Sequence, residues 1–158
     1  MRKCIFPGTF DPVTKGHVDI VKKMLNYFDE VIFLFLENPK KSTMFQIADR
    51  VNFAKKVFKD YKNVKIEVFD GLMIEYCRKS GIYTVIRGVR NSTDFNYELL
   101  YNFANISMDN KIQMLFIPTD TKYLHISSSL IREVLNGKGD ISPFVPECIL
   151  PDIKKIFY

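Results

Sequence analysis

Lys3-Cys4-Ile5-Phe6-Pro7-Gly8-Thr9-Phe10-Asp11-Pro12-Val13-Thr14-Lys15-Gly16-His17 is the stretch from which the rest of the chain can be read. Cys4, Ile5 and Phe6 form a short apolar run, which predicts a buried strand stopped by Pro7-Gly8. From Gly16 onward, Val18, Val21, Leu25 and Phe28 recur at helical spacing. A strand feeding a helix through a turn-rich loop brings free loop N–H groups and a positive helix end to the carboxyl edge of a sheet, where anions bind. Thr9 supplies a hydroxyl at that edge, and His17 falls in the first helical turn. Both can reach one bound phosphate.

Strand-like and helix-like segments alternate onward from there. The continuous apolar run Val31-Ile32-Phe33-Leu34-Phe35-Leu36 fits a strand covered on both faces. A polar loop with Pro39, Lys40 and Lys41 follows, then a helix beginning between Thr43 and Gln46 with Ile47, Val51, Ala54 and Phe58 on one face. Further strands are expected at 64–69, at 83–86 directly before Arg87-Gly88-Val89-Arg90, and at 113–117. Further helices are expected from Leu72 to Gly81, from about Asp94 to Met108, over 128–135 behind Ser127-Ser128-Ser129, and from near Pro151. The alternation implies an α/β fold: a doubly wound, mainly parallel five-stranded sheet with helices on both faces, in one domain over residues 1–158.

Composition agrees with a globular chain: 47% of the residues are hydrophobic and 26% charged, with both signs mixed. Lys plus Arg number 23 against 18 Asp plus Glu, and the resulting +5 suits anionic ligands without pointing to nucleic acid. Cys4, Cys77 and Cys148 have neither redox nor metal spacing, so reduced thiols are expected. No apolar run reaches membrane-spanning length, and the three apolar residues after Lys3 are too few for a signal segment. The expectation is a cytoplasmic protein with no membrane or nucleic-acid partner.

The chemistry-bearing stretches all fall at carboxyl ends of expected strands. Arg87 and Arg90 can grip phosphates through guanidinium forks, with Gly88 between them allowing close backbone approach. Three serines at a helix start can offer hydroxyls and free N–H groups to an anion; one of them can equally serve as a plain N-cap. There is no G-x-S-x-G nucleophile, no G-x-x-x-x-G-K-[ST] loop and no G-x-G-x-x-G fingerprint. A chain with phosphate grips and no covalent catalyst fits direct displacement at phosphorus, which needs positioning and charge stabilisation.

Gly8-Thr9-Phe10-Asp11-Pro12 followed by Thr14-Lys15-Gly16-His17 resembles the opening of the nucleotidylyltransferases with an H/T-x-G-H signature. About a hundred residues later, Ile126-Ser127-Ser128-Ser129-Leu130-Ile131-Arg132 is similar to their second signature, I-S-S-[ST]-x-x-[RK]. Within that superfamily the chain resembles the bacterial phosphopantetheine adenylyltransferases over nearly its whole length. The resemblance runs through Thr14, Asp19-Ile20-Val21, Met44-Phe45, Leu72-Met73, Ile86-Arg87-Gly88-Val89-Arg90 and Asp94-Phe95-Asn96-Tyr97-Glu98. Two departures are Val89, where the family usually has Leu, and Tyr123, where it often has Trp.

The resemblance implies adenylyl transfer from ATP to 4′-phosphopantetheine, the penultimate step of coenzyme A synthesis. It implies His17 as transition-state stabiliser, with Lys41 and Arg90 also catalytic, and Thr9, Lys41, Met73 and Arg87 on the phosphopantetheine side. On the ATP side it implies Thr9, Phe10, His17, Gly88, Val89, Arg90 and Glu98, with Tyr123, Leu124, His125, Ile126, Ser127, Ser128 and Ser129. It further implies Mg2+ carried by the nucleotide phosphates rather than by protein ligands, dephospho-coenzyme A and coenzyme A as further ligands, and a homohexamer. Two rivals are a sister enzyme acting on nicotinate mononucleotide or glycerol phosphate, and a nucleotide- or coenzyme-A-binding regulatory module without turnover.

Overall fold

The computed structural model describes residues 1–37 and 42–158. Five strands, β1 (Lys3–Gly8), β2 (Glu30–Glu37), β3 (Val64–Asp70), β4 (Thr84–Val89) and β5 (Gln113–Pro118), form one parallel sheet in the order β3-β2-β1-β4-β5. Six α-helices lie among the described residues: α1 (Lys15–Met24), α2 (Ile47–Val57), α3 (Met73–Ser80), α4 (Ser92–Met108), α5 (Ser128–Asn136) and α6 (Leu150–Phe157). The doubly wound α/β architecture expected from the alternation is present.

The period-two alternation of the central strands builds the two sides of the core. Cys4 and Phe6 of β1 join Val31, Phe33 and Phe35 of β2 in a cluster covered by α1, α2, α5 and α6. The intervening Ile5, Ile32, Leu34 and Val85 face the other way, against Met73, Ile74 and Cys77 of α3. Burial on both faces is why β2 reads as an unbroken apolar run.

Two boundaries differ from the sequence reading. Pro7 and Gly8 do not end β1; they pair with Leu34 and Phe35 of β2. A proline is tolerated there because β1 pairs with β4 only at Ile5↔Val85, and the Pro7 carbonyl takes a hydrogen bond from Arg87 Nη1 (2.9 Å). Likewise Arg87, Gly88 and Val89 do not follow β4 but belong to it, since β5 continues alongside as far as Pro118. Helix α4 starts two residues early, at Ser92, because the Asn91 side chain caps it by accepting from the Asp94 N–H at 2.8 Å. Helix α2 begins at Ile47, one residue past the expected interval.

Candidate active site

A cavity of about 770 Å³ opens at the carboxyl ends of β1 and β4. This is where the strand order reverses, the position at which open α/β sheets bind ligands. The loop after β1, the first turn of α1, the end of β4, the first turns of α4 and the start of α5 wall it.

The loop after β1 owes its shape to Phe10. That residue has φ +47°, and its buried ring stacks on Phe33 at 3.8 Å and meets the His17 ring edge-on at 4.9 Å. The ring also lies so close to Gly8 that a Cβ there would sit 2.7 Å from it, so only glycine fits. With its side chain committed to the core, Phe10 can offer a ligand little but backbone. Thr9 is left at the rim of the cavity, where its carbonyl accepts from Arg50 Nη1 at 2.7 Å.

His17 is fixed by a reciprocal cap. Thr14 is the N-cap of α1: its hydroxyl accepts from the His17 N–H at 3.2 Å, while the Thr14 N–H donates to His17 Nδ1 at 3.0 Å. A backbone N–H can only donate, so Nδ1 is the acceptor and Nε2 carries the proton. Desolvation within the wall, reinforced by the Arg90 and Arg87 charges, pushes the imidazole pKa down to about 3. His17 is therefore a neutral hydrogen-bond donor at the cavity, poised neither as an imidazolium nor as a general base.

Both arginines arrive paired. Arg87 grips Glu98 of α4 with a two-pronged bond, Nε to Oε2 at 2.6 Å and Nη2 to Oε1. Arg90 grips Asp94 the same way, Nε to Oδ2 at 2.7 Å and Nη2 to Oδ1 at 3.1 Å, and its Nη1 reaches the Ile126 carbonyl at 3.1 Å. A guanidinium has five N–H donors, so each keeps donors for a ligand. The carboxylates orient the forks and damp their charge.

The three serines divide their work. Ser127 is the N-cap of α5, accepting from the Leu130 N–H at 3.0 Å; Ser128 Oγ donates to the Pro12 carbonyl at 2.8 Å; Ser129 Oγ accepts from Arg132 Nη2 at 3.1 Å. The N–H groups of Ser128 and Ser129, in the first helical turn, have no intrahelical acceptor, which makes this end a ready anion site. Arg132 spans to the loop after β1, donating to the Asp11 carbonyl at 2.7 Å and lying 3.6 Å from the Asp11 carboxylate.

Of the residues singled out from the sequence, Thr9, Phe10, His17, Arg87, Gly88, Arg90, Glu98, Ile126, Ser127, Ser128 and Ser129 line this one cavity. Lys41 lies outside the described residues. Val89, Tyr123, Leu124 and His125 stand beside the cavity rather than in its wall, and Met73 is buried under the sheet at 1% exposure. The wall also contains Asp11, Asp94, Tyr97, Tyr101 and Arg132, which the sequence reading did not select. Arg132 ends the second signature and Asp94 opens the 94–98 stretch, so their motifs were visible although their contacts were not. No lysine or cysteine lines the cavity among the described residues. Burial raises the Cys4 and Cys77 thiols to about 12 and about 11, which makes them poor nucleophiles.

Neutral and cationic donors converging on one space, with no thiol or lysine among the described residues of its wall, can stabilise charge at a phosphorus under attack. Comparison with known proteins agrees. Residues 5–134, a span that includes every residue of the cavity wall, match the cytidylyltransferase-like family. Phosphopantetheine adenylyltransferase of Alkaliphilus metalliredigens is 39% identical over 98% of this chain and 99% of its own length. The enzymes of that name from Caldanaerobacter subterraneus subsp. tengcongensis (40%, 99% and 98%) and Clostridium novyi (42%, 97% and 95%) are similar throughout as well. The chain belongs to the phosphopantetheine adenylyltransferase family. For a member of that family the cavity wall is drawn from both signatures and from the 86–90 and 94–98 stretches but not from Met44-Phe45 or Leu72-Met73, and the full-length matches also take in α6, which lies beyond the family model.

Proposed function

We infer that the chain transfers the adenylyl group of ATP to 4′-phosphopantetheine, giving 3′-dephospho-coenzyme A and pyrophosphate. A phosphopantetheine phosphate oxygen attacks the α-phosphorus in line, forming the new P–O bond as the bond to the β-phosphate oxygen breaks. The nucleophile is already ionised, so the protein's task is positioning and charge stabilisation. The observation that carries this reading is the neutral His17, with Nε2–H as donor, beside the paired Arg87 and Arg90. In it His17 donates to an α-phosphate oxygen, Arg87 serves the phosphopantetheine phosphate, and Arg90 and the start of α5 serve the triphosphate. Thr9 stands between the two ligands, and Lys41 belongs to the same reading.

Mg2+ belongs to it too. The carboxylates in the wall, Asp11, Asp94 and Glu98, are each tied to an arginine, which fits a metal held through nucleotide phosphates. Bound there, the ion supplies charge neutralisation on the outer phosphates. No helix among the described residues is long and apolar enough to cross a membrane, and a cytoplasmic site of action fits that and the free thiols. A homohexamer is the proposed assembly. Tyr97, Leu100, Phe103 and Met108 of α4 and Leu115 of β5 leave apolar area for it at 41–70% exposure. Sedimentation should show one species six times the chain mass.

Pyrophosphate release from ATP, Mg2+ and 4′-phosphopantetheine tests the reaction, with nicotinate mononucleotide and glycerol phosphate as rival acceptors. Release with a rival alone would give the chain to a sister reaction. Nucleotide binding with no release in any mixture would make it a regulatory module.

A further inference from the structure

Thr9 and His17 must face one ligand, yet Thr9 sits in a loop with no secondary structure of its own. What holds that loop comes from α2. Arg50 is an arginine at 4% exposure, and its guanidinium donates from Nη1 to the Thr9 carbonyl at 2.7 Å and from Nε to the Phe45 carbonyl at 3.0 Å. The preceding peptide is held as well, because the Phe45 N–H donates to Asp11 Oδ1 at 2.9 Å, beside the Met44 N–H to Oδ2 at 2.8 Å. Asp11 in turn is braced by Arg132.

From this geometry we propose that Arg50 is a positioning residue for adenylyl transfer, fixing the Thr9 peptide and so aiming Thr9 into the cavity opposite His17. It is not among the residues lining the cavity and acts through Thr9. A buried guanidinium with no structural need for charge could be replaced by an apolar side chain of like size. What an apolar replacement cannot do is join two carbonyls on separate loops with one planar fork. A lysine keeps the charge but concentrates its donors on one nitrogen, so it can meet one carbonyl well and not both. The proposal rests on the reaction given above and adds the element that aligns it.

The test is a double-mutant cycle of Arg50→Lys with Thr9→Ala, read as kcat and as KM for ATP and for 4′-phosphopantetheine, with folding followed by thermal unfolding. Arg50→Lys should lower kcat between tenfold and roughly a hundredfold while both KM values stay within about threefold, because small misplacement costs rate before it costs binding. Thr9→Ala should then cost much less in the Arg50→Lys background than in the wild type, as coupled residues do. Equal costs of Thr9→Ala in both backgrounds would overturn the proposal, and so would a kcat loss that only tracks the unfolded fraction. Arg50→Gln, which can donate to one carbonyl, is the second variant. If neither variant folds, Arg50 is a folding determinant and the proposal fails. An inactive wild type would instead overturn the reaction, so the two failures are distinguishable.

Discussion

Arg87 at the end of β4 and Glu98 in the second turn of α4 form a fork-on-fork ion pair, with Arg87 Nε 2.6 Å from Glu98 Oε2 and the remaining guanidinium nitrogen on the Pro7 carbonyl. The Glu98 side chain is at 11% exposure and that of Arg87 at 23%, so the carboxylate is the more enclosed partner of a pair that lines the cavity together. The pair joins three elements at the point where ligands would enter. Its cost of desolvation is offset by hydrogen bonds on both sides of the guanidinium.

Breaking that pair should show in stability as well as in binding. Glu98→Gln and Arg87→Met should each destabilise the fold by about 1–3 kcal/mol, since each leaves a partly buried partner short of hydrogen bonds. The double variant should cost less than the sum. Urea unfolding of the four proteins gives the coupling. For ligands, Arg87→Met should weaken 4′-phosphopantetheine far more than ATP, and equal losses for both would assign Arg87 a structural role alone.

His17 yields a prediction with a definite pH window. Its folded pKa is about 3, against about 6.5 for an unperturbed histidine. Between those values the unfolded chain binds a proton at this site that the folded chain refuses, so this contribution to stability is complete above pH 6.5 and is lost as pH falls toward 3. His17→Gln should flatten the fall in Tm over that window relative to wild type. An unchanged slope would mean that the ring is charged in the folded protein. His17→Ala should lower kcat by roughly a hundred- to a thousandfold, the usual cost of one oxyanion donor. The kcat profile should show no step near pH 6.5 due to this residue.

The alternation of strands and helices, the covering of β2 on both faces and the location of the cavity at strand ends were legible because they follow from repeated signals, whereas the order of the strands was not. The apolar runs Cys4-Ile5-Phe6 and Val31 to Leu36 state that these strands are buried, and the signature stretches fall at strand ends. Pairings across the cavity were not legible. Arg87 meets Glu98 11 residues away, Arg132 meets Asp11 121 residues away, and Arg50 meets Thr9 41 residues away, and no local pattern encodes such contacts. Strand ends were misplaced for a related reason. Proline and glycine argue against a strand locally, but at Pro7, Gly8 and Gly88 the neighbouring strands decide.

Gly8 provides a test of how the loop is held. A methyl group there would press on the Phe10 ring, which is already packed against Phe33 and His17. Gly8→Ala should therefore cost about 1–3 kcal/mol by overpacking and lower kcat as His17 shifts. Phe10→Leu removes the obstructing ring, so Gly8→Ala should cost distinctly less in that background. Equal costs in both backgrounds would show that the ring is not what excludes a side chain at Gly8.

The start of α5 offers a test of where the outer phosphates of ATP lie. Ser128 and Ser129 line the cavity, with their hydroxyls tied to the Pro12 carbonyl and to Arg132, whereas the Ser127 hydroxyl is occupied in capping the Leu130 N–H. If the outer phosphates of ATP rest here, replacing Ser128 and Ser129 by alanine should weaken ATP moderately. Each lost hydrogen bond to a charged group is worth about 1.5–3 kcal/mol, while the helix N–H groups and their dipole survive the substitution. AMP has no outer phosphates, and its weaker binding should barely change in the same variant. Ser127→Ala serves as the contrast: losing the cap should cost about 1 kcal/mol of stability and leave the ATP-to-AMP affinity ratio near that of the wild type. Calorimetric titration of both nucleotides into the three proteins provides the comparison. Should the Ser128→Ala/Ser129→Ala variant lose affinity for AMP and ATP by the same factor, the leaving group does not lie at α5, and the triphosphate must run toward a different wall of the cavity.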